Sequence, residues 1–252
     1  MASKGKVSKL NNRLYVGIDG CAAGWFSVCI GPKNHVAYGI FSSFDDVWNQ
    51  YKDATVILVD IPIGLPWKHY PRRECDIEAR QVLSPLRHNS VFSPPCRETI
   101  DAENYTEACN INKKNCGRRL SMQTWNIIPK ISQADELLKT KRNARNIIRE
   151  THPEICFWGL AGGNPMAHYK GTQEGLEERL EILQHFFKRS NAIYKAARER
   201  FFRKDVALDD ILDALVNAVT STRFEKHGKT LPTNPPQDQE DLPMEMVYSV
   251  VN

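Results

Sequence analysis

YVGIDGCAAGW, residues 15–25, is the stretch around which the fold of this chain is built. The apolar run at 14–18 predicts a buried strand, and WFSVCI at 25–30 predicts the returning strand of a hairpin. Gly20 and Gly24 give the turn between them its backbone freedom. Asp19 therefore ends a core strand, where a carboxylate is rare unless it is paired or binds a cation. The alternative is a turn carboxylate that accepts hydrogen bonds from backbone N–H groups.

The composition predicts a soluble globular protein, because 41% of the 252 residues are hydrophobic and 25% are charged. No apolar run is long enough for a transmembrane helix, so we expect no membrane partner. Residues 1–12 are polar and basic and lack the apolar core of a secretory signal. We therefore expect a disordered leader at 1–12, followed by a single domain over residues 13–252.

The seven cysteines are an odd number without a C-x-x-C pair. Together with the missing secretion signal, this pattern predicts reduced thiols in a cytoplasmic protein. The alternative is a zinc site built from Cys75, Cys96, Cys109 and Cys116, but their spacing matches no common zinc pattern.

A second strand also ends in a carboxylate. Residues 36–41 predict a third strand, residues 44–51 an amphipathic helix, and the apolar run at 55–59 a fourth strand that ends at Asp60. A helical crossover permits parallel pairing, so the first and fourth strands can be neighbours with Asp19 and Asp60 side by side. A cap ahead of Pro62 is the alternative for Asp60.

Residues 68–130 interrupt the succession of strands and helices and predict a basic, helical insertion, with helices at 74–83 and 104–116. Lys68 to Arg149 holds 16 Lys and Arg against 9 Asp and Glu, whereas the remainder of the chain is net negative. The arginines and Trp125 could contact phosphates and bases of a nucleic acid. Equally, they could pair with acids and cover apolar surface.

The second half of the chain predicts mainly helices. A helix at 130–145 precedes a fifth strand within 146–157, with Glu150 and Glu154 near the end of that strand. Helices follow at 172–188 and at 191–202, the latter with Asn191 as N-cap. Beyond residue 222 we expect a proline-rich loop and a closing strand within 244–251.

The helix that begins near residue 209 brings a further pair of acids. Asp210 and Asp213 are three residues apart, so they share one face of that helix. Favourable interaction with the helix dipole is the structural alternative for both.

Four acids on three elements, Asp19, Asp60, Asp210 and Asp213, suggest a metal site. Carboxylates held close together repel one another, and a divalent cation reverses that cost. Mg²⁺ prefers oxygen ligands, and two such ions can activate water and stabilise the leaving oxygen in phosphodiester cleavage. The sequence contains neither a G-x-x-x-x-G-K-[ST] phosphate loop nor a G-x-G-x-x-G motif.

An ordered set of motifs resembles a known family. GIDGCAAGW, DIPIGL, RRECDIEAR, SMQTWNIIPKI, ETHPE and DDILDALVNA are similar, in this order, to the domain-of-unknown-function family DUF429, predicted nucleases of the RNase H fold. The resemblance runs from about residue 15 to about residue 248. It implies an RNase H-like α/β domain whose mixed five-stranded sheet has the order 3-2-1-4-5, flanked by helices, with the helical insertion after strand 4.

The same resemblance implies a site. It places Asp19 on strand one, Asp60 at the end of strand four, and Asp210 and Asp213 on the last helix as ligands of Mg²⁺ or Mn²⁺. Related Holliday-junction resolvases usually carry glutamate where this chain has Asp60. Candidates for further roles are Glu154, as an extra ligand or water-orienting group, and Arg80 and Lys130, as phosphate contacts.

Three functions are compatible with these residues. The first is a metal-dependent nuclease that uses two metal ions on DNA or RNA. The second is a nucleic-acid-binding protein of the same fold with little or no turnover, whose affinity would fall as salt rises. The third is a nucleotide phosphohydrolase or a relative of actin-like ATPases, which the loop from Gly20 to Gly24 disfavours because it lacks hydroxyl side chains.

Overall fold

The computed structural model describes residues 13–251, so the predicted leader lies outside the described residues. Its main sheet has five strands in the order β3-β2-β1-β4-β5. These strands are β1 (Tyr15–Cys21), β2 (Gly24–Ile30), β3 (Val36–Phe41), β4 (Val56–Asp60) and β5 (Ile148–Glu150). The strand order confirms the order 3-2-1-4-5 predicted from the sequence.

The directions of the strands explain how the sheet is built. β1, β2 and β3 form an antiparallel meander, whereas β1 and β4 pair in parallel. β5 extends the sheet in parallel beside β4. Gly24 is required at the turn between β1 and β2, because its φ is +130° and a Cβ there would lie 2.2 Å from the carbonyl oxygen of Phe41.

Eight α-helices flank this sheet within the described residues. They are α1 (Phe44–Tyr51), α2 (Glu74–Val82), α3 (Tyr105–Cys116), α4 (Met122–Thr140), α5 (Pro153–Leu160), α6 (Gln173–Phe186), α7 (Ser190–Arg200) and α8 (Leu208–His227). None of them, within residues 13–251, combines the length and apolar character needed to cross a membrane.

The helices cover the sheet in two layers. One apolar cluster joins Trp25 and Ile57 of the sheet to α1 and α4, and a second joins Phe26 and Val28 to the helices α5–α8. The amphipathic stripe predicted for residues 44–51 faces the first cluster, since its four large apolar side chains are all buried. α2, α3 and α4 lie between β4 and β5 in the chain, as expected for a helical insertion after the fourth strand.

The boundary predicted near residue 130 is wrong. The predicted helix covers residues 130–145, but α4 runs continuously from Met122 to Thr140 and passes through Pro129. Proline inside a helix removes one hydrogen bond and crowds the preceding turn. Buried Ile131 packs in the apolar cluster shared with the sheet and α1, buried Ile128 packs in a separate cluster with α3, and this packing offsets the cost.

Three further predictions are corrected in the second half. β5 ends at Glu150, and Glu154 lies instead in the first turn of α5. α7 begins at Ser190 and is preceded by Arg189, so Asn191 is not its N-cap. α8 continues to His227, past the predicted start of the loop.

The end of the chain forms its own small sheet. β6 (Gly228–Leu231) and β7 (Met246–Ser249) pair antiparallel. Among the residues that the structure describes, a single bridge, from Thr151 to Val247, joins β7 to the residue that follows β5. The predicted closing strand therefore exists, but its main partner is β6 rather than an edge of the five-stranded sheet.

Candidate metal centre

The pairing of β1 with β4 places two carboxylates side by side. Asp19 and Asp60 are direct partners in the parallel register. Asp60 is the last residue of β4, and Asp19 lies two residues before the end of β1, so both carboxylates lie toward the carboxyl ends of the central strands. The N–H of Gly20 donates to Oδ1 of Asp19 at 2.7 Å, which orients this carboxylate.

Helix α8 supplies the third carboxylate because it lies directly on the backbone of β1. A Cβ at Gly17 would come within 2.0 Å of the Ala218 nitrogen and 2.3 Å of the Ala214 oxygen. The Asn217 side-chain amide donates to the Ile18 carbonyl at 3.0 Å. Asp213, one turn before Asn217 on the same face, is thereby brought to the end of the strands.

Asp19, Asp60 and Asp213 form the acidic triad of this protein. Each contributes a carboxylate oxygen, and these oxygens lie within 4.8 Å of one another. Burial raises the pKa of Asp19 well above its ordinary value, and the charges of Asp60 and Asp213 raise it further. Burial also raises the pKa of Asp60, and it raises the pKa of Asp213 to about 7. The three groups thus resist being charged together unless a cation lies among them.

A cationic side chain, that of Lys170, contacts the acidic triad. Nζ of Lys170 lies 2.8 Å from Oδ2 of Asp213 and 3.1 Å from Oδ2 of Asp209. Burial opposes the charge of Lys170, but the two neighbouring carboxylates outweigh that effect and raise its pKa. The sequence analysis missed Lys170, since it lies 43 residues before Asp213 in a segment without a recognisable motif.

Asp210 has a different role from that of Asp213. Its Oδ2 accepts a hydrogen bond from the N–H of Ala207 at 2.8 Å, at the start of α8. Burial raises the pKa of Asp210 to about 6. The structure does not bring its carboxylate into the acidic triad, so its position matches the structural alternative at the helix N-terminus.

Glu154 lies beside the triad, on the first turn of α5. Its Oε1 accepts a charged hydrogen bond from Arg179, and Arg179 is itself fixed by the carbonyls of His168 and Gly175. Its Oε2 is buried and has no protein hydrogen-bond partner. A buried carboxylate oxygen without a donor is costly, so this atom is an acceptor available to a bound group or a water.

His152 lies two residues beyond the end of β5 and immediately precedes α5. Its Nδ1 accepts from the N–H of Glu154 at 3.2 Å, so Nε2 carries the proton in the neutral ring. This Nε2 lies 3.3 Å from the carbonyl oxygen of Ser90. The sequence analysis found the HPE motif but assigned no role to the histidine.

The two predicted phosphate contacts are placed differently. Lys130 extends beside the turn that follows Asp19, since a Cβ at Gly20 would lie 2.7 Å from its Cδ, and its Nζ lies 5.7 Å from the centre of the Trp25 ring. Arg80 instead donates to the carbonyl of Val91 and the hydroxyl of Ser93, both at 2.9 Å. The guanidinium of Arg80 is therefore used to hold a loop.

Much of the charge in the basic stretch is likewise used inside the protein. Arg73 pairs with buried Glu150, and Arg97 pairs with two buried carboxylates. Arg118 donates to two backbone carbonyls, and half-buried Trp125 packs against a tyrosine ring. These side chains stabilise the fold, so the net charge of this stretch is not by itself evidence for nucleic-acid binding.

A cavity of about 490 Å³ opens next to the acidic triad. Its lining residues are Asp60, Leu86, Arg87, Asn89, Ser90, Phe92, Gln123, His152, Pro153, Glu154, Tyr169, Lys170 and Asp213. The lining thus combines carboxylates, two of them from the acidic triad, with aromatic, amide, aliphatic and cationic side chains. A substrate held there would have its reacting group beside the acidic triad.

The fold and this site define a class: mixed-sheet α/β proteins whose central parallel strands and last long helix bring carboxylates together at one sheet edge. The chain belongs to the family described as protein of unknown function (DUF429), whose sequence model matches residues 17–239. No curated protein and no solved structure matches the chain. The resemblance to this family is thus confirmed, and its activity has to be inferred from the site.

Proposed function

We propose that this protein is a metal-dependent nuclease of RNase H-like fold that hydrolyses phosphodiester bonds of nucleic acid with Mg²⁺ or Mn²⁺. The proposal depends on one observation: the carboxylates of Asp19, Asp60 and Asp213 lie close together. Asp19 and Asp60 come from two strands paired in register, and Asp213 comes from helix α8. Three separate segments of the chain contribute, so local capping does not account for the group.

The donor set fits a hard divalent cation. All three ligands are carboxylate oxygens, and Mg²⁺ and Mn²⁺ prefer such ligands. The raised pKa values show that the acidic triad is electrostatically unfavourable when it carries only its own charges. A bound cation would relieve this repulsion and, in phosphodiester hydrolysis, would supply an activated water and stabilise the leaving oxygen.

The chain's own residues then have distinct tasks. Asp19, Asp60 and Asp213 hold the cation, and Oε2 of Glu154 accepts a hydrogen bond from a water in the cavity. Lys170 balances the charge of the acidic triad and offers an ammonium to a phosphate oxygen. Because its Nζ contacts Asp213, it is close enough to act on a group bound there.

The test combines metal binding with cleavage. Mn²⁺ binding is measured by calorimetry for the wild type and for Asp19→Asn and Asp213→Asn, with exposed Asp53→Asn as the matched control. Labelled single strands, duplexes, flaps and junctions of DNA and RNA are then incubated with Mn²⁺. We expect both triad variants to lose metal binding and cleavage, and the control to retain both.

Two outcomes would overturn the proposal. If the wild type cuts none of these nucleic acids, the nuclease proposal fails. In that case, binding of these nucleic acids that persists after Asp19→Asn would identify a nucleic-acid-binding module of the same fold. If cleavage persists in both triad variants, the acidic triad is not the catalytic site.

A further inference from the structure

The cavity beside the acidic triad has features that the proposed chemistry does not explain. Carboxylates would suffice to hold a metal, but the walls carry exposed apolar and aromatic surface. Tyr169 is 64% exposed and Leu86 is 51% exposed, and Phe92 lines the same cavity. Large apolar side chains left in contact with water around a cavity mark a ligand-binding surface.

We propose that this cavity binds one unpaired nucleobase of a single-stranded nucleic acid, adjacent to the phosphate at the acidic triad. The inference rests on the function proposed above and specifies its substrate class. Phe92 and Tyr169 provide flat faces on which a base can stack, whatever its identity. Asn89 and Gln123 provide side-chain amides, each of which both donates and accepts, as the edge of a base requires.

The walls of the cavity are held in place before any ligand binds. Arg87 donates to the carbonyls of Met166 and Ala167 at 2.8 and 2.6 Å, which ties the segment that carries Leu86 to the segment that carries Tyr169. Arg80 binds the backbone or side chain of the residues on either side of Phe92. A cavity that is preorganised in this way loses less entropy when a ligand enters.

Charge is arranged to match a nucleotide. Lys170 lines the cavity and contacts the acidic triad, so a cationic group lies where the phosphate of a bound nucleotide would be. Glu154 lines the same cavity, and its buried carboxylate oxygen Oε2 has no protein hydrogen-bond partner. An amino group of a base, or a water bound beside it, would satisfy this oxygen.

The size of the cavity favours a single strand. A volume of about 490 Å³ lies within the range of roughly 300–1,000 Å³ found for small-molecule sites. It suits one nucleotide unit rather than a stacked and paired helix. A base of a duplex would have to leave its stack and its partner, which costs a few kcal/mol, whereas an unpaired base does not incur this cost.

The experiment measures binding separately from cleavage. Fluorescence anisotropy follows a labelled oligothymidylate of twelve nucleotides and a labelled hairpin duplex, in the presence of Ca²⁺, an oxygen-ligated cation. The proteins are the wild type, Phe92→Ala, Tyr169→Ala and Tyr169→Phe. Phe202→Ala is the matched control, since Phe202 is also an exposed ring, 74% exposed, but does not line the cavity.

We expect the single strand to bind at least about tenfold more tightly than the duplex. Loss of one stacking ring should weaken single-strand binding about fivefold or more. Tyr169→Phe, which keeps the ring, and Phe202→Ala should bind as the wild type does. Unchanged Mn²⁺ binding in Phe92→Ala and Tyr169→Ala would show that both variants retain the folded site.

The outcomes separate this inference from the nuclease proposal. Equal affinity for duplex and single strand, or alanine variants that bind like Phe202→Ala, would overturn the assignment of the cavity. If Mn²⁺-dependent cleavage persists in that case, the nuclease proposal survives without it. If ring-dependent binding of the single strand occurs but the wild type cuts none of the DNA and RNA forms tested with Mn²⁺, the nuclease proposal fails and the cavity assignment stands.

Discussion

Gly17→Ala tests the contact that assembles the acidic triad. The Cβ would lie 2.0 Å from the backbone nitrogen of Ala218 and 2.3 Å from the backbone oxygen of Ala214. Both atoms belong to the backbone of α8, so no side-chain rotation relieves the clash. To reach an ordinary contact distance, the helix would have to move away from β1 by about 1.4 Å.

This displacement has a cost that follows from the structure. The hydrogen bond from Asn217 to the Ile18 carbonyl, 3.0 Å long, would lengthen beyond the bonding range and leave buried polar atoms unpaired. Overpacking costs about 1–3 kcal/mol, and an unsatisfied buried group costs a further 1–3 kcal/mol or so. We expect the free energy of unfolding to fall by about 2–6 kcal/mol.

The assay is urea denaturation, followed by Mn²⁺ calorimetry under native conditions. Gly39→Ala in β3 is the matched control, because a Cβ there meets nothing within 4 Å. We expect the control to be about as stable as the wild type and Gly17→Ala to lose both stability and Mn²⁺ affinity. If the two variants unfold at the same urea concentration, the close approach of α8 to β1 does not hold the site together.

Three further predictions concern charge. In metal-free buffer, the stability of Asp19→Asn relative to the wild type should increase as pH rises. The pKa of Asp19 is raised in the folded protein, so the wild type is most stable below the ordinary pKa of about 4 and loses stability as this residue ionises. Thermal unfolding at pH 5 and pH 8 measures the difference, and a difference that does not grow would contradict the prediction. At pH 8 without metal, Lys170→Gln should lower the free energy of unfolding by about 1–2 kcal/mol, because Asp213 loses its charged partner. Saturating Mn²⁺ should make this difference smaller. A variant that is as stable as the wild type without metal would show that the ion pair does not stabilise the fold. Arg97→Ala should cost about 3–5 kcal/mol, because it leaves buried Asp238 without its cationic partner and leaves buried Asp135 with only the 3.6 Å contact to Lys139. Exposed Arg119→Ala should cost little, and equal urea midpoints for the two variants would contradict this.

Local patterns were sufficient for the elements that frame the site. An apolar run that ends in a carboxylate gave both β1 and β4, and a stripe at helical spacing gave α1. The hairpin followed by a strand, a helix and another strand made parallel pairing of β1 with β4 plausible. The family resemblance then supplied the order of the sheet. From these, Asp19 and Asp60 could be placed together without coordinates.

Local sequence patterns did not predict helix bounds and side-chain positions that depend on packing between distant parts of the chain. The sequence predicted a helix that starts at residue 130, but the burial of Ile128 and Ile131 keeps α4 continuous through Pro129. Glu154 was singled out from the sequence as a candidate ligand, but its place on α5 and its partner Arg179 depend on helices far apart in the sequence.

The sequence by itself determined which acids end strands and which begin the last helix. Only the tertiary structure decided between the two members of the helix pair: Asp213 faces Asp19 and Asp60, and Asp210 caps the helix backbone. The physical reason is that spacing along a helix fixes which residues share a face, whereas the distance from that face to the sheet depends on the close approach at Gly17. The counter-ion Lys170 likewise depends on tertiary structure, because an ion pair requires proximity in space and leaves no periodic signal in the chain.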